Sequence, residues 1–149
     1  TLDNVTVEGL KADQTGMRVE SEFTSTVPIS NSVVRSDGTG VSGIWIFKNN
    51  SYSNNANEST VTATLNGNSI EFTAAPNTLT VGYRFTRQPL GASSFGDPPV
   101  PDPADNGPLN VSGTGNTVTG QESIIDISCA PTIAVTSTVS INGAPRGCP

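Results

Sequence analysis

The sequence predicts an all-β chain, an antiparallel β-sandwich or jelly roll of about eight or nine short strands. Three observations lead there. Apolar residues alternate with polar ones over short runs, the period of a half-buried strand. No window places apolar residues at i, i+3, i+4 and i+7 among good helix formers. Gly, Asn and Pro separate the alternating runs, as turn residues do.

The first strand is expected around Val5 and Val7, and a second around Met17, Val19 and Phe23. Val41 to Phe47, Thr60 to Leu65 and Ser69 to Thr73 follow. Leu79 to Thr86, Ser123 to Cys129 and Thr132 to Ile141 complete the clear set, and residues 109–119 add a weak, Gly-rich one. Asn66-Gly67 suits a two-residue hairpin turn, since both residues tolerate positive φ. In that register Ala63 faces Ile70 and Val61 faces Phe72, with Leu65 on the same side. Thr62, Thr64, Ser69 and Glu71 take the other face.

Ile44-Trp45-Ile46-Phe47 differs from the rest because both of its faces are apolar. Trp45 and Phe47 point one way, Ile44 and Ile46 the other. Either both sides are covered within the fold, or one meets another chain. The segment 88–108 holds six of the eleven prolines, and proline cannot donate to a sheet ladder. It reads as a long loop or a polyproline-like strap within a single domain spanning 1–149. No internal repeat is visible.

Composition narrows the chemistry. Hydrophobic residues make up 34% and charged residues 13%, with a formal net charge of -6. The seven Lys and Arg residues are scattered, so no basic stripe offers itself to nucleic acid. No apolar run is long enough to span a membrane as a helix. The chain starts at Thr1, which suits a mature form whose export signal has been removed; removal of Met before a small residue is the alternative.

The absence of histidine removes Ser-His-Asp and Cys-His constellations and His-ligated metals. No phosphate loop or dinucleotide fingerprint is present, and no cofactor is expected. A carboxylate pair could still serve glycoside hydrolysis, but the acidic residues lie in polar, solvated runs. Asp126, within Ile124-Ile125-Asp126-Ile127, fits a half-exposed strand position. Asp97, Asp102, Asp105 and Asn106 cluster in the proline loop without the spacing of a calcium site. The expectation is a protein that is not an enzyme.

Binding is the remaining class. Trp45 and Tyr52, beside the Asn-rich stretch 48–58, could form a glycan rim; the competing reading makes Trp45 a core anchor. Val5, Val7, Ile44 and Ile46 are the other candidate partner contacts. Sequons stand at Asn4, Asn49, Asn57 and Asn110, which matter only if the source glycosylates exported proteins. Lys11 or Lys48 could enter an isopeptide crosslink with an acidic neighbour. Cys129 and Cys148 are expected to pair, closing a loop worth about 3 kcal/mol in the chain-entropy model; two free buried thiols are the alternative.

The tail Gly143-Ala144-Pro145-Arg146-Gly147-Cys148-Pro149 resembles the C-terminal disulfide loop of bacterial type IV pilins over about twenty residues. Those pilins begin with a long hydrophobic helix, and this chain begins with a strand-like segment. Asn4-Val5-Thr6-Val7 is similar to the donor strand of pilins assembled by strand exchange, though the aromatic-ended C-terminal strand of the chaperone–usher family is missing. The resemblance implies a structural subunit of an extracellular filament or pilus at the cell surface. Such a subunit would self-associate, or join another surface subunit, through its N-terminal strand and surface loops. A glycan-binding module or adhesin is the second expectation, and a phage or virus decoration protein the third.

Overall fold

The computed structural model describes residues 1–21, 23–49, 59–74, 80–87, 107–120, 125–127 and 135–148. It contains strands alone, fifteen of them among the described residues. In chain order these are β1 (Leu2–Asp3), β2 (Thr6–Leu10), β3 (Thr15–Ser21), β4 (Ser25–Ser30), β5 (Val33–Ser36), β6 (Ser42–Lys48), β7 (Val61–Asn66) and β8 (Ser69–Phe72). β9 (Val81–Arg87), β10 (Leu109–Ser112), β11 (Thr117–Thr119), β12 (Ile125–Ile127), β13 (Val135–Ser137), β14 (Val139–Ile141) and β15 (Ala144–Arg146) follow.

The sheets correct the expected sandwich. Sheet A runs β1-β4-β7-β10-β13, sheet B runs β11-β8-β5-β2, and sheet C runs β12-β9-β6-β3. Every pairing in these three sheets is parallel. Every third strand is a neighbour, so the chain winds as a parallel β-solenoid. Each coil gives one strand to each sheet and lies on the coil before it. Coil 1 is β1-β2-β3, coil 2 is β4-β5-β6, coil 3 is β7-β8-β9, coil 4 is β10-β11-β12, and β13 with β14 begins a fifth. The only antiparallel pair among the described strands is the terminal hairpin β14–β15.

Asn66-Gly67 is therefore a corner between sheets A and B, and β7 and β8 do not pair with each other. The expected inward face survives this change. Val61, Ala63, Leu65, Ile70 and Phe72 are all buried, because alternation selects a face whichever strand lies alongside. The corner repeats up the stack. Asn4, Asn31, Gly67 and Gly115 take φ of 55°, 50°, 64° and 72°, the left-handed region that Asn and Gly enter most readily. A second glycine requirement lies in sheet C, where a side chain at Gly43 would stand 2.6 Å from Ile70 Cδ1.

Inward-facing residues build one continuous core. Ile29, Val34, Ile44, Ile46, Leu65, Ile70, Tyr83, Phe85, Leu109 and Ile141 are almost entirely excluded from water. Stacking places like upon like, as with Ile44 on Tyr83 and Ile46 on Phe85. Each coil alone would expose its apolar row to water; burial between coils is worth about 25 cal/mol per Å².

The A/B corner also carries buried polar groups, and these bond between coils. The Asn68 side chain donates to Ile29 O (3.0 Å) and to Asn116 Oδ1 (3.0 Å), and its own Oδ1 accepts from Ser32 N (3.1 Å). Asn116 donates to Leu65 O (2.8 Å) and Ser140 O (3.3 Å), and accepts from Asn68 N (3.2 Å). Ser32 extends the ladder down, its Oγ accepting from Val5 N at 3.2 Å. The phenol of Tyr83 donates to Asn68 O (3.2 Å), and burial pushes its pKa upward.

Several expected boundaries move. Phe23 lies beyond the end of β3 and is 71% exposed. β4 and β5 occupy a stretch to which the sequence reading assigns no strand. Pro28 stands inside β4, with its missing donor on the side of coil 1, where sheet A is only two residues long. Most of the proline loop, the segment 50–58 and Cys129 fall outside the described residues. The expected Cys129–Cys148 bridge falls on Cys129 and so lies outside the described residues.

Asn116→Ala should cost about 3 kcal/mol in urea unfolding, because it strands Leu65 O and the amide of Asn68 in the interior. Loss of less than about 1 kcal/mol would mean that the inter-coil ladder is marginal to the fold.

Candidate functional site

Three places on the solenoid gather chemistry: the outer face of sheet C, the outer face of sheet B, and the edge of coil 1. On sheet C the in-register rule stacks Arg18, Trp45, Arg84 and Asp126 from coils 1 to 4. Trp45 is half-buried on the outside, and the core position expected for it belongs to Ile44 and Ile46. The Arg18 guanidinium lies 4.5 Å from the Trp45 ring centroid and that of Arg84 lies 5.4 Å away. Phe47 packs beside it, with ring centroids 5.8 Å apart. The indole N–H donates to Thr86 Oγ1 at 2.6 Å.

The charges in this ladder are matched. Arg18 meets Glu20 at 2.7 Å and Arg84 meets Asp126 at 3.1 Å. Asn49, one of the sequons, donates to Glu20 at 2.6 Å. A sugar ring stacking on Trp45 would first have to displace a guanidinium that already occupies the position. Tyr52, its expected companion, lies outside the described residues, as does Asn57.

On sheet B, Arg35 holds two carboxylates, Glu8 and Glu71, each at 2.7 Å. The pairing keeps Glu71 below the usual carboxylate range, chiefly through the hydrogen bond from Arg35. The three line an open depression of about 310 Å³ with Lys11, Asp37 and Thr73. A carboxylate so held is a poor proton donor near neutral pH, so general-acid work does not fit here. Lys11 lies 3.9 Å from Asp37 and both are solvent-exposed, whereas Lys48 is fully buried. No group of three or more metal-ligating side chains occurs among the described residues. The acidic cluster of the proline loop, Asp97, Asp102, Asp105 and Asn106, lies outside them.

Coil 1 is the less buried of the first two coils. Its inward residues Leu2, Val5, Val7 and Val19 are half-buried while Leu10 and Met17 are buried, and Ile29, Val34 and Ile46, the residues stacked on Leu2, Val7 and Val19, are buried completely. The backbone shows the same asymmetry. Asn4 N donates to Ser30 O, Val33 N to Val5 O and Ser42 N to Gln14 O. In a parallel ladder, alternate residues bond to alternate neighbours. Asp3, Thr6 and Thr15 therefore direct N–H and C=O away from coil 2, and so do Arg18 and Glu20 further along β3, where Asn49 N donates to Ser21 O; no strand among the described residues meets them.

The opposite end is closed over sheets A and B. β15 lies antiparallel along the outer edge of β14, and the Asn142 side chain both donates to Val118 O and accepts from Val118 N, each at 2.9 Å. Val135, Val139 and Ile141 beneath them are buried.

Of the sequence candidates, Val5 and Val7 thus reach this edge, with Asn4 at the neighbouring corner. Asn110 stands half-buried on the outside of β10. What the sequence reading missed is that Asp3, Thr6, Arg18 and Glu20 share the edge; no local pattern signals it, because it depends on which strands stack.

Trp45→Ala should leave the solenoid folded by far-UV circular dichroism and lower stability by about 1–2 kcal/mol, the worth of its ring contacts. Collapse of the fold would return Trp45 to the role of core anchor.

No helix among the described residues is long and apolar enough to cross a membrane. The tail that resembles a type IV pilin loop is instead the β14–β15 hairpin closing a parallel stack, and the pilin reading is corrected accordingly. No family model, curated protein or solved structure matches the chain.

Proposed function

We propose that this protein is a non-enzymatic structural module of an extracellular or surface assembly, joined to its partner through coil 1. One observation carries the reading. Coil 1 presents three strand edges together with a half-buried apolar row, whereas the far end of sheets A and B is closed by a hairpin. Open edges invite strand pairing, and folds that avoid association cover or charge them. The apolar row adds the burial that edge hydrogen bonds lack by themselves.

In this reading the N-terminal strand contributes as a layer of the solenoid. It is already paired with coil 2 through Leu2 and Asp3, so it is not a detached donor strand. A filament would need a second contact besides coil 1, which the surface loops would supply. A glycan-binding role at Trp45 has less support, since both neighbouring guanidiniums crowd the ring.

Thr6→Pro tests the reading with the fold preserved, because the Thr6 N–H points away from coil 2 and proline is tolerated at such an edge. Analytical ultracentrifugation should show association of the unmodified chain that Thr6→Pro weakens at least tenfold, with circular dichroism unchanged. Equal association of both chains would remove coil 1 from the interface.

A further inference from the structure

We propose that the outer face of sheet A binds ice, as a flat, uncharged and periodic array of hydroxyl and methyl groups. This goes beyond the surface role argued above and does not depend on coil 1, since the array lies on coils 2 to 5.

The array follows from the stack. Val61, Ala63, Leu65, Leu109, Val111 and Val135 point inward and are buried, so the residues between them point out. Register lines up Thr26, Thr62, Asn110 and Thr136 in one outer row, and Pro28, Thr64 and Ser112 in a second. Neighbouring strands stand about 4.8 Å apart, and alternate residues along a strand about 6.6 Å, which sets both repeats. Pairing runs from β4 to β13 without a register shift, whereas sheet B is bulged between Val7 and Leu10.

Charge separates this face from the other two. Sheet B presents Glu8, Arg35 and Glu71, and sheet C presents Arg18, Glu20, Arg84 and Asp126. The two rows on sheet A hold no charged residue, in a chain of net charge -6. Ice is neutral and takes up no counter-ions, so an uncharged face complements it, and a charge pressed against it would lose hydration. The polar groups are also uncommitted. No side-chain hydrogen bond links Thr26, Thr62, Thr64, Asn110, Ser112 or Thr136 to another described residue. Threonine is stiff at χ1, so its hydroxyl and methyl are held in place at little further cost in entropy. The oxygens on a prism face of ice repeat in two directions at spacings of this size. Hydroxyls of the rows can thus stand in for lattice oxygens, with the methyls between them. Neither row holds an aromatic ring for a sugar to stack on, which sets ice ahead of a polysaccharide.

Ice grown slowly from a dilute stirred solution tests the proposal, read as the ratio of protein in the ice to protein left in the liquid. Circular dichroism is the control for folding. The unmodified chain should be enriched in the ice. Thr62→Lys and Thr26→Lys, which set a cation in the first row, should each cut the enrichment about tenfold or more. Thr26 is exposed, so its variant keeps the test decisive should Thr62→Lys unfold. Thr119→Lys, the same exchange on the outer face of sheet B, should leave the enrichment unchanged. Rejection of the unmodified chain from the ice, or equal uptake of all the variants, overturns the proposal. Retention on insoluble cellulose by a chain that ice rejects overturns it too, and gives the face to a polysaccharide.

Discussion

No coil of this protein can bury its own apolar row; each depends on the coil beside it. A strand in a sandwich finds its cover across the core from a second sheet. Here the cover comes from Ile29 on Leu65, Val34 on Ile70 and Ile46 on Phe85, one step along the stack at a time. Backbone bonding follows the same direction, and so does the buried ladder from Ser32 through Asn68 to Asn116. Apolar burial and polar satisfaction thus impose one shared requirement, that neighbouring coils remain in register. A slip of one residue would turn every apolar side chain outward and break the asparagine ladder at once.

The same dependence explains the ends. A repeating stack has two terminal layers, and its energetics are dominated by contacts between neighbours. The far end of sheets A and B is closed by a chain reversal, with Asn142 spending its side chain on both backbone groups of Val118. Coil 1 has no such device. Its side chains are of the same type as those above them, yet Val5, Val7 and Val19 retain contact with water.

Much of the local structure was legible in the sequence, and the topology was not. Alternation correctly placed Val61, Ala63, Leu65, Ile70 and Phe72 on one buried face and separated Trp45 from Ile44 and Ile46. Period-two patterning records the face of a residue but not the strand beside it. Asn66-Gly67 serves equally as a hairpin turn or as a left-handed corner between sheets, and nothing local chooses between them. The repeat was hidden because its spacing is irregular: Leu2 and Ile29 stack 27 residues apart, Ile29 and Leu65 36, and Tyr83 and Ile125 42. Pro28 concealed β4, since the rule against proline in a central strand relaxes where the adjacent strand is short. Trp45 was misjudged for a related reason. A large aromatic is expected inside, but stacking supplied Arg18 and Arg84 as outer cover.

Native-state hydrogen exchange at low and high protein concentration tests the central claim most directly. Val33, Ser42 and Ser69 donate their amides within the stack, so they should be protected at every concentration. The amides of Thr6, Arg18 and Glu20 point out of coil 1, and should exchange rapidly in dilute solution and become protected as concentration rises. Exchange at these three positions that ignores concentration, while the stack itself stays protected, would contradict the claim that coil 1 is where this protein joins another.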